Sequence, residues 1–319
     1  MRFDNRSRVS TYLNTWMPSG DETRQSVAGY FGGGANSGGR FDTIDKVAFP
    51  ADTVTTLAAV LTGATSRLGG FANSGVAGYF CGGFDGSNVS RIDKITFPAD
   101  SKTTLSATLT AARQSVTGLD NSGVAGYSGG GFDGNYLDGI DKITFPADTK
   151  TTLAAVLTTT VYNMGAVTNV GNAGYFAGGT DDSTYFTRFD KIAFPADTKS
   201  TLAAVLTSGR QGQAGTSDNG VAGYVCGGFN GSSRLSGIDK LLFSTETKST
   251  LAATLSVARA TTACMSDSGV AGYNGGGFGT NYTSNIDKIA FPAETRTTLS
   301  GTLSAIKDAL AGFSNQGVF

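Results

Sequence analysis

One phrase returns six times along this chain: "GYFGGG" from Gly29, "GYFCGGFDG" from Gly78, "GYSGGGFDG" from Gly126, "GYFAGG" from Gly174, "GYVCGGFNG" from Gly223 and "GYNGGGFG" from Gly272. Its tyrosines (Tyr30, Tyr79, Tyr127, Tyr175, Tyr224 and Tyr273) are 49, 48, 48, 49 and 49 residues apart. Two other markers keep the same phase. An Asp-Lys pair begins at Asp45, Asp93, Asp141, Asp190, Asp239 and Asp287, and a Thr-Leu ends at Leu57, Leu105, Leu153, Leu202, Leu251 and Leu299. Three markers in one register define a structural repeat, and a period of about 50 residues belongs to propellers and solenoids.

Each unit reads as four short strands. Val76–Gly82, strand B, alternates so that Ala77, Tyr79 and Cys81 share a face. Strand C, Ile92–Phe97, groups Asp93, Ile95 and Phe97; strand D, Thr104–Leu109, turns Leu105, Ala107 and Leu109 inward; strand A, Arg113–Asp120, is the least regular. Asn121–Gly123 forms a hairpin turn from A into B, and Pro98–Asp100 turns C into D. The second residue after each tyrosine is Gly, Cys or Ala, and the next two are always glycine. Strands crowd one another near the axis of a radial fold, so a larger side chain there would meet the neighbouring blade. Glycine also opens backbone conformations as the strand ends.

The chain ends test the number of units. The first unit starts at a B strand, Val27–Gly32, with no A strand before it, whereas the segment after Leu303 reads as an A strand with no unit of its own. Lys307 falls where Arg113 and Arg259 fall, and Ser314–Val318 mirrors Asp120–Val124. The expectation is an all-β, six-bladed propeller over residues 23–319, four antiparallel strands per blade, closed by the C-terminal strand completing the N-terminal blade. Residues 1–22 form an N-terminal extension whose Tyr12 and Trp16 belong to an apolar cluster; it reads either as a tail packed along the propeller or frayed, or as a segment that docks into a larger assembly.

The order of arginine (Arg113), aromatic-diglycine ("GYSGGG", ending at Gly131), a strand before Phe145 and an outer strand at Leu153 resembles a Kelch repeat. The usual outer-strand tryptophan is absent, with Leu153 nearest its place. The phrases "GYFCGGF", "IDKITFPAD" and "LTAAR" (Leu109–Arg113) also resemble Kelch-like virion proteins of tailed phages, notably those of marine cyanobacteria. That resemblance implies a virion component: a tail-fibre, receptor-binding or capsid-decorating protein. Its partners would be other virion proteins, met through the N-terminal segment, and a host-surface glycan or protein.

Composition narrows the chemistry. There is no histidine, which excludes Ser-His and Cys-His nucleophile pairs and imidazole-ligated metals, including a galactose-oxidase type of copper site. Cys81, Cys226 and Cys264 show no metal spacing and read as small buried thiols. A net charge of −1 without basic runs argues against nucleic acid. No stretch reaches the ~18 apolar residues of a spanning helix, and the N-terminus lacks the apolar core of a signal peptide. The phage resemblance implies the virion as the location, after synthesis in the host cytoplasm. No cofactor is expected.

Among the candidate sites, the six Asp residues read as structural acceptors, since the pair recurs at one strand position. A non-enzymatic binding or structural module is the favoured reading. The alternatives are a sialidase-like hydrolase, whose Ser-x-Asp-x-Gly-x-Thr-Trp box is absent, and a cellular Kelch scaffold. The residues opening strand A include Arg113, Arg210, Arg259 and Lys307, expected as cations around one channel mouth, where each either pairs with a neighbouring loop, as in Kelch blades, or helps form an anion-binding mouth. The A–B and C–D turns barely vary, whereas every B–C loop differs and is rich in Tyr, Asn, Asp, Ser and Gly, a vocabulary of adaptable recognition. Asn135, Tyr136, Asp182, Tyr185, Asn281 and Tyr282 are the expected ligand contacts there.

Overall fold

A computed structural model describes residues 28–73 and 75–315, so the N-terminal extension with Tyr12 and Trp16 lies outside the described residues. Six four-stranded antiparallel sheets form a ring. In blade 3, for example, strand A is Thr117–Asn121, B Ala125–Gly129, C Ile140–Thr144 and D Thr149–Thr152. Blade 1 combines B, C and D strands at Ala28–Gly32, Ile44–Ala48 and Thr53–Thr56 with an A strand at Ala311–Asn315. Ala28 faces Asn315 and Gly32 faces Ala311, so the C-terminal strand closes the ring as expected.

Two strands differ from the expectation. Strand D of blade 2 is Ser101–Thr104, ending where it was expected to begin. The Leu-x-Ala-x-Leu alternation correctly marks the inward side, with Leu109 buried. However, this stretch has left the ladder and climbs back over its blade, bonding only at intervals (Leu105 N to Ile92 O, Leu109 N to Ser90 O). Strand A of blade 3 starts at Thr117 rather than Arg113, because Ser115 takes a left-handed φ of 55° that an extended strand cannot contain.

The A strands pack backbone against backbone round the axis. A Cβ on Gly118 would lie 2.2 Å from Gly70 O, and one on Gly312 would lie 2.4 Å from Cys264 O. The repeated tyrosines fasten blade to blade. Tyr79 stacks on Phe145 of the next blade at 5.2 Å, and its hydroxyl donates to Asp148 at 2.7 Å. Lys94 reaches the other oxygen of that carboxylate at 2.6 Å. The same clasp recurs at all six junctions, with Glu246 and Glu294 as the acids in two. Tyr273 and Lys288 close the ring onto Asp52.

The diglycine is a further junction device. Its second glycine, at φ of 89° to 108°, donates its N–H to the carbonyl opening the next strand A, as Gly131 does to Val161 at 2.9 Å. The three cysteines are free and buried.

Candidate functional site

The six Asp residues of strand C grip the chain arriving from the preceding blade. Asp141 accepts from the Thr110 N–H at 2.8 Å, from the Thr110 and Thr152 hydroxyls at 2.5 and 2.8 Å, and from Arg113 at 3.0 Å. Burial pushes the carboxyls of Asp141, Asp190 and Asp239 up, but the hydroxyl and N–H donors of Thr110, Thr158 and Thr207 outweigh it, leaving all three below the ordinary range.

The strand-A cations complete these grips and do not surround an open channel mouth. Arg113, Arg210, Arg259 and Lys307 are 0–3 % exposed and pair with Asp141, Asp239, Asp287 and Asp45 at 2.9–3.0 Å. A solitary cation at such depth would be too costly, so each turns to its own blade's carboxylate. Where the opening residue is Thr65 or Val161, an arginine appears instead two positions before the Asp. Arg91 there pairs with Asp85 and bonds Thr65; Arg188 lies 3.4 Å from Asp190. That exchange was visible in the sequence, as an arginine two positions before the Asp-Lys pair ("RIDK" and "RFDK") occurs only in those two copies.

On the B–C/D–A face the axis is closed by backbone. The N–H groups of Arg67, Ser115, Asn163, Gly212, Thr261 and Ala309 each donate to the equivalent carbonyl of the preceding blade, at 2.6–3.2 Å, until the ring is complete. All six residues have left-handed φ, 52–64°. Above this floor opens a funnel of about 660 Å³ whose wall includes Arg40, Phe84, Tyr162, Gln211, Tyr282 and Asp308. Its wall rises in five blades by two isolated bridges, for example Gln114 to Phe132 and Phe132 to Tyr136, and in blade 1 by the bridge of Ala35 to Asp308 and a short ladder of Ala35–Asn36 with Gly39–Arg40.

The expected ligand residues fall on this face but do not form one cluster. Tyr136 and Asp182 meet across blades 3 and 4, the phenol donating at 2.5 Å. Tyr162, not anticipated, stacks on Tyr136 at 5.4 Å and donates to the same carboxylate. Tyr282 lines the funnel and rests on Phe278 at 4.8 Å, whereas Tyr185 stands edge-on to Phe229 at 5.9 Å. Asn135 donates its N–H to Asp133, and the Asn281 carbonyl accepts from Gly279 N–H, so their backbones shape the loop bends. No family model and no curated protein matches this chain.

Further residues escaped the sequence reading. The floor and inner-wall residues lie inside what read as strand A, so their exposure to the funnel was hidden. At the opposite end of the axis, Asp120 lies in a narrow channel of about 90 Å³ beside Thr168, Ser217 and Ser266. Half-buried and enclosed by the channel wall, it is pushed up to about 6 by burial, against one hydrogen bond from the Ala72 N–H at 3.0 Å.

Proposed function

We propose that this propeller is a non-enzymatic recognition module of a phage virion, binding a host-surface glycan or another virion protein through the B–C/D–A face. One observation carries the reading: residue variation is concentrated where the ring meets solvent at the funnel. The clasp keeps Tyr and Lys in all six copies, and the grip keeps Asp. The floor is six different residues, and the loop position above it is Arg40, Asn88, Tyr136, Tyr185, Arg234 and Tyr282.

The chemistry of the rim favours binding over hydrolysis. Burial and Asp182 push the Tyr162 phenol up, and Asp182 does the same to Tyr136. Both hydroxyls therefore serve as hydrogen-bond donors, not as ionised nucleophiles. Tyrosine brings large contact area at low conformational cost, and several weak sites displayed together gain strength through avidity.

The test is adhesion of purified protein to host cells. Replacing Tyr136, Tyr185 and Tyr282 with alanine should reduce it while thermal unfolding is nearly unchanged. Alanine at Ser101 and Thr149, on the opposite face, should leave it intact. Loss of adhesion from the second pair alone would refute the assignment.

A further inference from the structure

Every lysine and arginine among the described residues lies within 4.0 Å of a carboxylate oxygen, with three exceptions. The exceptions are Arg40, Arg67 and Arg234: the first two line the funnel and the third lies beside it. Arg40 and Arg67 line it, and Arg234 lies 4.3 Å over the ring of Phe278, which supports the lining residue Tyr282. Where the other described cations are each ion-paired within 4.0 Å, two guanidinium groups on one cavity and a third beside it without such a pair are a specific arrangement.

The groups are also held ready. Arg67 extends from the floor ring, where its left-handed φ of 60° is unfavourable for a residue with a Cβ. One of its nitrogens donates to Gln114 Oε1 at 2.6 Å. Arg40 is stacked 4.4 Å over Phe84. Planar guanidinium forks bind carboxylate or sulfate with two parallel hydrogen bonds.

The remaining wall is aromatic, amide and hydroxyl: Phe84 and Tyr282, Asn163 and Gln211, Ser115 and Thr261. Asp308, half-buried in the wall, accepts from the Thr261 hydroxyl at 2.8 Å, feels the charges of Arg67 and Arg234, and has room to accept from a ligand hydroxyl as well. We propose that the axial funnel binds an acidic saccharide, its carboxylate or sulfate held by Arg40 and Arg67 with Arg234 at the rim, and a sugar ring packed on Tyr282. This rests on the binding-module reading and names its ligand class. An acidic peptide fits less well, because the wall's backbone groups are already engaged in bridges such as Phe84 N to Ser66 O, leaving no strand edge to extend.

The experiment is titration of the full chain with four labelled probes: trigalacturonate, a sulfated trisaccharide, maltotriose and hexaglutamate. At least one acidic saccharide should bind at least tenfold more tightly than maltotriose and hexaglutamate. The exposed double variant Arg40→Gln/Arg67→Asn should lose at least tenfold; asparagine tolerates the left-handed backbone, so folding is kept. Binding of neither acidic saccharide, equal binding of hexaglutamate, or affinity unchanged in the double variant would each overturn the proposal. Equal binding of maltotriose that depends on Tyr282 would also overturn it, while leaving the wider binding-module reading intact.

Discussion

At the scale of single residues, the clasp acid is the most consequential part of the fold. Asp148 sits at a left-handed φ of 54° and holds both Tyr79 and Lys94 of the preceding blade. Asp148→Ala should cost about 2–4 kcal/mol in urea unfolding, from one hydroxyl bond and one half-buried ion pair lost, and Asp148→Asn less. The clasp tyrosines carry a pH signature. Burial first, then the neighbouring acid, raises their phenols above the ordinary value. The folded state therefore keeps its protons where the unfolded chain loses them. That stability is complete below pH ~10 and is lost as pH rises beyond it. Tyrosinate absorbance from these residues should appear only together with loss of β circular dichroism.

Asp120 acts in the opposite part of the pH scale. Its folded pKa of about 6 exceeds that of an unfolded aspartate, so its protonated form favours folding and the benefit fades as pH climbs through that value. Asp120→Asn should raise the melting temperature at pH 7 and change it little at pH 4; equal shifts at both would contradict the burial account. The Asp-Lys pair could be read as structural from its recurrence alone. The partner of each lysine could not, because it stands on the next blade round the ring, 54 residues on for Lys94 and Asp148 and 236 residues back for Lys288 and Asp52, and only ring geometry brings them together.

At the scale of elements, period, blade count and closure were legible because three markers kept phase and the two chain ends complemented each other. The limits of strands A and D were not. Alternating burial continues after Thr104, where the backbone ladder has stopped, and the floor residues carry no glycine signal apart from Gly212. Closure has a direct consequence. Deleting residues 307–319 removes Ala311–Asn315 and the Lys307–Asp45 pair, exposing the edge of Ala28–Gly32. The truncated chain should melt at a markedly lower temperature or aggregate, and unchanged melting would sink the six-blade closure.

At the scale of the whole molecule, a repeated scaffold lends each blade one position on a shared concave face and lets that position differ. The sequence revealed the variable loops but scattered their residues over three blades; the funnel between them, with Arg40 and Arg67 on its wall and Arg234 beside it, needed the ring. The N-terminal segment carries the proposed link to other virion proteins, so removal of residues 1–20 should leave the ring folded and abolish incorporation into particles. Normal incorporation would refute that role. The most direct measurement of the recognition face is hydrogen exchange on the full chain with and without polysaccharide extracted from cells to which it adheres. New protection should fall on residues 33–43, 83–91, 131–139, 180–188, 229–237 and 278–285, whereas protection confined to the C–D turns near Pro98 and Pro146 would contradict the account.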